Sequence, residues 1–259
     1  MLKGRARSPG PRLRQERIAE AVRRQGKVSV EQLAARFKTS NETIRRDLAV
    51  LADSGKVLKF HGGAKLPQAR EEGPFRERMT MNAVAKRIIA EKAARLIAPG
   101  ETVLIDTGST TLMCAEEIGK IDGLTVITNS ARIAAVLAER GNHTSVFLLG
   151  GRFDGDNQET LGPTAIGEIQ SFHADHALIT IGALDGAAGA TDFNFDEAQV
   201  AKAMLGAADN LIVVADSSKF QRRAAFTVCP LERIGALVSD RAPPGPLRAA
   251  LTEAKVTLH

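Results

Sequence analysis

Ser40, Asn41, Thr43, Arg45 and Arg46 fall within seven consecutive positions and gather hydroxyl, amide and guanidinium groups on one short stretch of chain. Arginine donates in bidentate fashion to guanine, and small hydroxyls reach phosphates or base edges. A second group is spread over four segments: Asp106-Thr107-Gly108-Ser109-Thr110-Thr111, Thr128-Asn129-Ser130, Gly150-Gly151-Arg152 and Asp216-Ser217-Ser218-Lys219. Each follows an apolar run. Backbone amides and hydroxyls of the first segment suit an anion at a positive helix end, with Gly108 expected to let the chain turn tightly. Gly150 and Gly151 allow close backbone approach, and Lys219 adds a cation near Asp106 or Glu197. The P-loop lysine pattern is absent, so hydrolysis of a nucleoside triphosphate is not indicated.

The first group needs a helix to present it. Arg12–Gln25 reads as one helix, with Leu13, Ile18, Ala21 and Val22 as its apolar stripe and Gly26 as its stop. Ser29 and Gln32 form a capping box that opens a helix over Val30–Phe37. Thr39 and Glu42 form a second such pair ahead of Asn41–Ser54, which Gly55 closes. Two short helices joined by so tight a turn predict a helix-turn-helix. At about 100° per residue, Ile44, Leu48 and Leu51 lie within roughly 60° of one another and face inward. Glu42, Thr43 and Arg46 point away, with Arg45 on the flank. Residues 56–64 alternate weakly and turn at Gly62-Gly63, a basic hairpin whose Lys59, His61 and Gly62 suit a nucleic-acid backbone.

The second group needs a sheet. Val103–Ile105, Thr125–Ile127, Val146–Leu149, Leu178–Ile181, Leu211–Ala215 and Ala236–Val238 read as buried strands. Helical patterns over 75–98, 111–118, 131–139 and 196–208 alternate with them. This predicts an α/β unit with a mostly parallel sheet covered on both faces, whose ligand sits at the carboxyl ends of the strands. The chain divides accordingly into a basic tail (1–11), a winged helix-turn-helix (12–66), a linker bracketed by Pro67 and Pro74 (67–74) and an α/β unit (75–259).

Charge supports that division. Of 259 residues, the first 66 carry 16 Lys and Arg against 6 Asp and Glu, a net +10, whereas the remainder is net −5. A compact basic head on an acidic body is the electrostatic outline of a nucleic-acid reader joined to something else. Trp and Tyr are absent, which argues against stacking on single strands. No apolar run suits a membrane span, and the N-terminus lacks the apolar stretch of a signal peptide, so a cytoplasmic protein without membrane association is expected. Cys114 and Cys229 match no zinc spacing and read as small buried residues. His173, Asp175 and His176 lack a fourth metal ligand and read as polar surface. Neither a metal nor a cofactor is expected.

Ser40–Leu48 followed by His61-Gly62-Gly63-Ala64, with Arg14, Ile18 and Val22 upstream, resembles the winged helix-turn-helix of DeoR-type bacterial transcriptional regulators. In the body, Asp106–Thr110, Thr128-Asn129, Leu149–Gly151, Asp196–Ala198 and Ser217–Phe220 resemble the sensor domain of the same regulators. The resemblance implies a body similar in fold to ribose-5-phosphate isomerase that senses a phosphorylated sugar or glycerol phosphate. It implies operator double-stranded DNA as the partner of Ser40, Asn41, Thr43, Arg45, Arg46, Lys59, His61 and Gly62. The effector falls to Asp106, Gly108, Ser109, Thr110, Thr111, Thr128, Asn129, Gly150, Gly151, Glu197 and Lys219. Thr191–Asp196 departs from the Thr-Thr-Pro-Asn form of sugar-operon members and is closer to that of glycerol-3-phosphate responders.

One recognition helix covers half of a symmetric operator, so a homo-oligomer is expected, joined through apolar sheet edges of the body. The competing class is a sugar-phosphate isomerase using Asp106, Asp185, Glu197 and Lys219 as acid, base and electrostatic partners.

Overall fold

The computed structural model describes residues 10–25, 27–53, 57–60, 62–65 and 73–259. Gly26, Gly55, His61, most of the expected tail and residues 67–72 of the expected linker lie outside them. Two compact units result, Met1–Ala69 and Arg70–His259.

The first unit holds α1 (Pro11–Gln25), β1 (Lys27–Ser29), α2 (Val30–Phe37), α3 (Asn41–Asp53), β2 (Leu58–Phe60) and β3 (Gly63–Lys65). The expected capping box is present at α2: Ser29 Oγ accepts from Gln32 N, and Gln32 Oε1 accepts from Ser29 N. The α3 cap differs from the Thr39–Glu42 expectation. Ser40 Oγ accepts from Thr43 N at 3.2 Å and contacts Thr43 Oγ1 at 2.9 Å. Ser40 O takes the first helical bond, from Ile44 N, so the cap lies one residue later than the pattern placed it, while the helix starts at Asn41 as expected. Ile18, Val22, Leu33, Phe37, Ile44, Leu48 and Leu51 close one core.

The hairpin also differs in detail. Phe60 pairs with Gly63 and Lys59 with Ala64, so Gly63 already belongs to β3 and the turn precedes it. Gly62, at φ +87°, supplies the left-handed conformation that other residues adopt at a cost. β1 joins β3 as a third strand that short-range alternation did not announce.

The second unit begins with α4 (Phe75–Thr80) and α5 (Ala83–Ala94), then β4 (Thr102–Ile105), α6 (Ser109–Ile118), β5 (Thr125–Thr128), α7 (Ala131–Ala138) and β6 (Ser145–Leu148). It continues with β7 (Arg152–Asp154), β8 (Glu159–Leu161), α8 (Pro163–Ile169), β9 (Ala174–Thr180), β10 (Ala183–Asp185) and β11 (Gly189–Asp192). Last come α9 (Phe195–Gly206), β12 (Ala208–Val214), β13 (Phe226–Cys229), β14 (Ala236–Val238), α10 (Gly245–Glu253) and β15 (Thr257–Leu258). The single helix expected over 75–98 is broken. Met81 is extended and Asn82 is left-handed at φ 55°.

Seven strands form one parallel sheet in the order β15-β14-β12-β9-β4-β5-β6. Successive residues feed opposite faces: Val103 and Ile105 pack with Ile89, Ile118 and Ile133, while Leu104 packs with Ile169, Met204 and Leu251. Both faces are therefore apolar, which is why the strands read as continuous apolar runs. Burying one such side chain contributes about 1.5–3 kcal/mol. β10, β11 and β13 form a small antiparallel sheet beside it, and β7 pairs with β8. The order reverses at β4 and β9, the topological switch point at which such sheets open a crevice.

Candidate functional site

At the start of α3, Ser40 ahead of the helix and Asn41, Glu42, Arg45 and Arg46 within it are exposed, with Thr43 half-buried; Lys59 and Gly62 are exposed on the hairpin. Arg46 is 81% exposed, and it and Arg45 lie 3.6 and 3.7 Å from Glu42. Such solvated pairs contribute little and exchange readily for another anion. What fixes this face was not read from the sequence. Arg14 on α1 donates through Nε to Asp47 Oδ2 at 2.5 Å and through Nη2 to Oδ1 at 3.3 Å, while Gln15 Nε2 reaches Oδ1 at 3.0 Å. Both Arg14 and Asp47 are buried, so a charge pair fastens α3 to α1 from behind the Arg45–Arg46 face.

In the second unit, Asp106 ends β4 and accepts from Thr180 N, at the end of β9, with both oxygens at 3.0 Å. The two strands at the switch point are thus tied at their carboxyl ends. Thr107 N donates to Asn129 Oδ1 at 3.0 Å, and Asn129 Nδ2 reaches Glu159 Oε2 at 3.3 Å. Asn157 Nδ2 bridges Glu159 Oε1 at 2.8 Å and Glu197 Oε1 at 3.2 Å. Asp106, Thr107, Asn129, Glu159, Asp192 and Glu197 wall a small cavity of about 10 Å³. Asp192, Glu197 and Asn157 also wall or border a larger cavity of about 580 Å³ that Pro74, Arg78 and Asn194 help to line. That volume falls in the range of small-molecule sites.

Burial holds the Asp106 carboxyl well above its ordinary value; the hydrogen bond from Thr180 opposes this, and the nearby carboxylates of Asp192, Glu197 and Glu159 add to it. Glu159 is raised as well, mainly by burial, against the hydrogen bond from Asn157. An acid with a raised folded-state value is protonated in both states below its ordinary value of 3.8, so it does not affect stability there. Above it, the unfolded state ionises first and folding stability falls until the folded value is passed. The melting temperature of Asp106→Asn minus that of the wild type is therefore expected to rise between mildly acid and neutral pH. A difference independent of pH would place the Asp106 titration at its ordinary value.

Gly108 is extended at φ 177° and makes no left-handed turn. Glycine is needed for closeness, because a Cβ there would lie 2.5 Å from Thr180 Cγ2. Ser109, Thr110 and Thr111 open α6 and are buried, and Thr111 Oγ1 donates back to Gly108 O. The cation beside them is Lys86 of α5. It is only 4% exposed and its Nζ donates to Ser109 Oγ at 2.8 Å and to Arg78 O. Thr128 Oγ1 accepts from Ser130 N. Gly150 N donates to Glu168 Oε2, and Gly151 packs on the Leu161 backbone. Lys219 closes a 3-10 turn, Ser217–Lys219. None of these last four lines either cavity described above.

Asp106, Asn129 and Glu197 thus line one small cavity, whereas Gly108–Thr111, which follow Asp106 in the chain, line neither cavity. Arg78, Lys86, Asn157, Glu159 and Asp192 were missed. On a helix surface or a short hairpin such charged and amide side chains read as solvated, and nothing in their spacing points inward. Cys114 and Cys229 are buried in the core, and burial pushes the Cys229 thiol up to about 11. His173 faces Asp209 and His176 faces Glu101. No cluster suited to a metal occurs among the described residues, and no helix among them is long and apolar enough to cross a membrane.

Comparison with known proteins bears on the family of the chain. Residues 14–70 match a model described as the DeoR-like helix-turn-helix domain, and residues 81–241 match the DeoR C terminal sensor domain. The chain is 31% identical to a putative aga operon transcriptional repressor of Escherichia coli O157:H7, over 98% of this chain and 95% of that one. It is 30% identical to the glycerol-3-phosphate regulon repressor of Escherichia coli strain K12, over 93% and 96% of the two chains. A solved ribose 5-phosphate isomerase A from Methanocaldococcus jannaschii is similar over 54% of this chain and 55% of its own, at 16% identity and a TM-score of 0.39. With both halves matched in order and at full length, the chain belongs to the DeoR family of helix-turn-helix transcriptional regulators.

Proposed function

We propose that this protein is a repressor of a carbohydrate or polyol catabolic operon, acting in the cytoplasm and controlled by a phosphorylated sugar or glycerol phosphate. Residues 12–66 read operator DNA and residues 75–259 bind the effector. The observation that carries the effector site is the meeting of the carboxyl ends of β4 and β9, where Asp106 bonds Thr180 N at the small cavity, which shares Asp192 and Glu197 with the 580 Å³ one. The α6 N-terminus, with Ser109–Thr111 and the Lys86 ammonium, supplies the charge and donors an effector phosphate requires. Asp106, Asn129, Asn157 and Glu197 supply acceptors and donors for its hydroxyls. A thermal-shift panel of glycerol 3-phosphate, ribose 5-phosphate and hexose phosphates, with their unphosphorylated counterparts, tests this. Stabilisation by the unphosphorylated compounds alone would remove the phosphate from the assignment.

On the DNA side, Asn41, Arg45 and Arg46 face the bases from α3, and Ser40, Thr43, Lys59, His61 and Gly62 hold the backbone. Arg45→Ala and Arg46→Ala are each expected to cost about 1–3 kcal/mol in operator affinity. Lys59→Ala is expected to weaken all sequences alike and to flatten the salt dependence. Binding titrations on operator and random DNA distinguish these. Equal losses on both for the arginine variants would make them phosphate contacts.

Assembly through the sensor half as a dimer or higher oligomer fits the symmetry of such operators. The open edge strand β6 exposes Phe147 and Leu148, surface that a second copy would cover. The isomerase reading is weaker, because two of its four residues stand apart from Asp106 and Glu197. Asp185 caps Ala187 N and Ala188 N in the β10–β11 turn, and Lys219 lines neither cavity with Asp106 and Glu197. Ketose formation from ribose 5-phosphate would reinstate it.

A further inference from the structure

The polar residues around the two cavities close into a ring that passes through one residue of α4. From its side chain, Arg78 Nη2 donates to Asn157 Oδ1. Asn157 Nδ2 donates to Glu159 Oε1 at 2.8 Å, Asn129 Nδ2 donates to Glu159 Oε2 at 3.3 Å, and Thr107 N donates to Asn129 Oδ1 at 3.0 Å. From its main chain, Arg78 O accepts from Lys86 Nζ, and the same ammonium donates to Ser109 Oγ at 2.8 Å. Both routes leave Arg78 and end two residues apart, at Thr107 in the loop that follows β4 and at Ser109, the first residue of α6.

The helix carrying Arg78 is also seated on the cavity. Phe75 N donates to Asp156 Oδ2 at 3.0 Å. The Phe75 ring is buried, with the guanidinium groups of Arg78 and Arg132 at 5.3 and 4.7 Å from its centroid. Gly73, Pro74, Arg78 and Asp156 all line the larger cavity. α4 is the first element of the second unit, directly after residues 66–72.

We infer that Arg78 is a positioning residue that couples the Thr107–Ser109 loop to α4, so that whatever disturbs the loop loosens or tightens the helix that begins the sensor unit. The inference rests on the proposed effector site only for what disturbs the loop. An anion that takes a bond from Ser109 Oγ or Lys86 Nζ alters one of the two routes to Arg78. Because the bonds are buried, leaving one unmade is costly, and the helix responds in preference to the loop standing unsatisfied. The chain that leads to the DNA-reading unit starts from this helix, so its stability is a quantity an effector can change at the place where it matters.

The coupling is testable without any ligand, on the full chain, by amide hydrogen exchange. Asn129→Ala cuts the side-chain route at its far end, and Asn157→Ala cuts it beside Arg78. Thr160→Val is the control: its hydroxyl bonds Asn129 O and Leu149 O but has no place in the ring. With exchange corrected for each variant's global stability, amides of residues 75–81 are expected to exchange about tenfold faster or more in both asparagine variants. Thr160→Val is expected to leave them unchanged. Unchanged exchange over 75–81 in Asn129→Ala, or an equal rise in Thr160→Val, overturns the coupling. Failure here leaves the effector site standing, and failure of the phosphate panel leaves this coupling standing.

Discussion

Asp47→Ala is expected to abolish operator binding by unfolding the first unit, although Asp47 faces away from the DNA-reading side of α3. The carboxylate receives two bonds from the Arg14 guanidinium and one from Gln15, and both charged partners are buried. Truncating one member of a buried pair leaves the other's charge desolvated, at about 3–5 kcal/mol. A unit of this length has about that much stability in total. Amides of α1 and α3 should lose their hydrogen-exchange protection, while those of β4 and β9 keep theirs. The double variant Arg14→Met, Asp47→Leu replaces the pair by apolar side chains of similar bulk and should restore both fold and operator binding. Full protection of α1 and α3 in Asp47→Ala would show that the pair does not hold the helices together.

Lys86→Met is expected to weaken the best-binding phosphate compound by roughly 10- to 100-fold, the span of one charge-assisted hydrogen bond. Its melting temperature without ligand is expected to fall only modestly, because leaving Ser109 Oγ and Arg78 O without this donor is offset in part by no longer burying an ammonium. Ser109→Ala should weaken binding modestly, and Lys219→Ala should have the smaller effect of the two lysine changes. Calorimetric titration of the three variants beside their unliganded melting curves reads this directly. Unchanged affinity with a lowered melting temperature in Lys86→Met would make Lys86 a structural tie between α4 and α6 and nothing more.

What the sequence by itself determined is what short-range chemistry decides. The Ser29–Gln32 box opened α2, the Ile44–Leu48–Leu51 stripe set the outward face of α3, and the apolar runs marked six of the seven strands of the parallel sheet. Asp106 and Asn129 were legible because a parallel sheet brings its carboxyl ends to one edge whatever the details of packing. The Thr39 cap and the Gly62-Gly63 turn were misplaced by a residue, since neighbouring hydroxyls and glycines compete for the same local role and the pairing partners choose.

The tertiary structure alone decided the rest. Between Phe75 and Ala98 there is no Gly or Pro, and the chain breaks at Met81–Asn82, where Asn82 takes the left-handed conformation, while Phe75 is held by Asp156 and two guanidinium groups. Lys86, Arg78 and Asp47 look in the sequence like the solvated charges around them, such as Arg45, Arg46 and Glu117. They differ only in what lies across from them: Ser109, Asn157 and Arg14, each reached over 23 to 79 positions of chain. Periodicity and capping act within a turn or two of a helix, whereas burial of a charge is a property of two distant segments meeting. The sites therefore show in the sequence where backbone ends create them and stay hidden where packed side chains do.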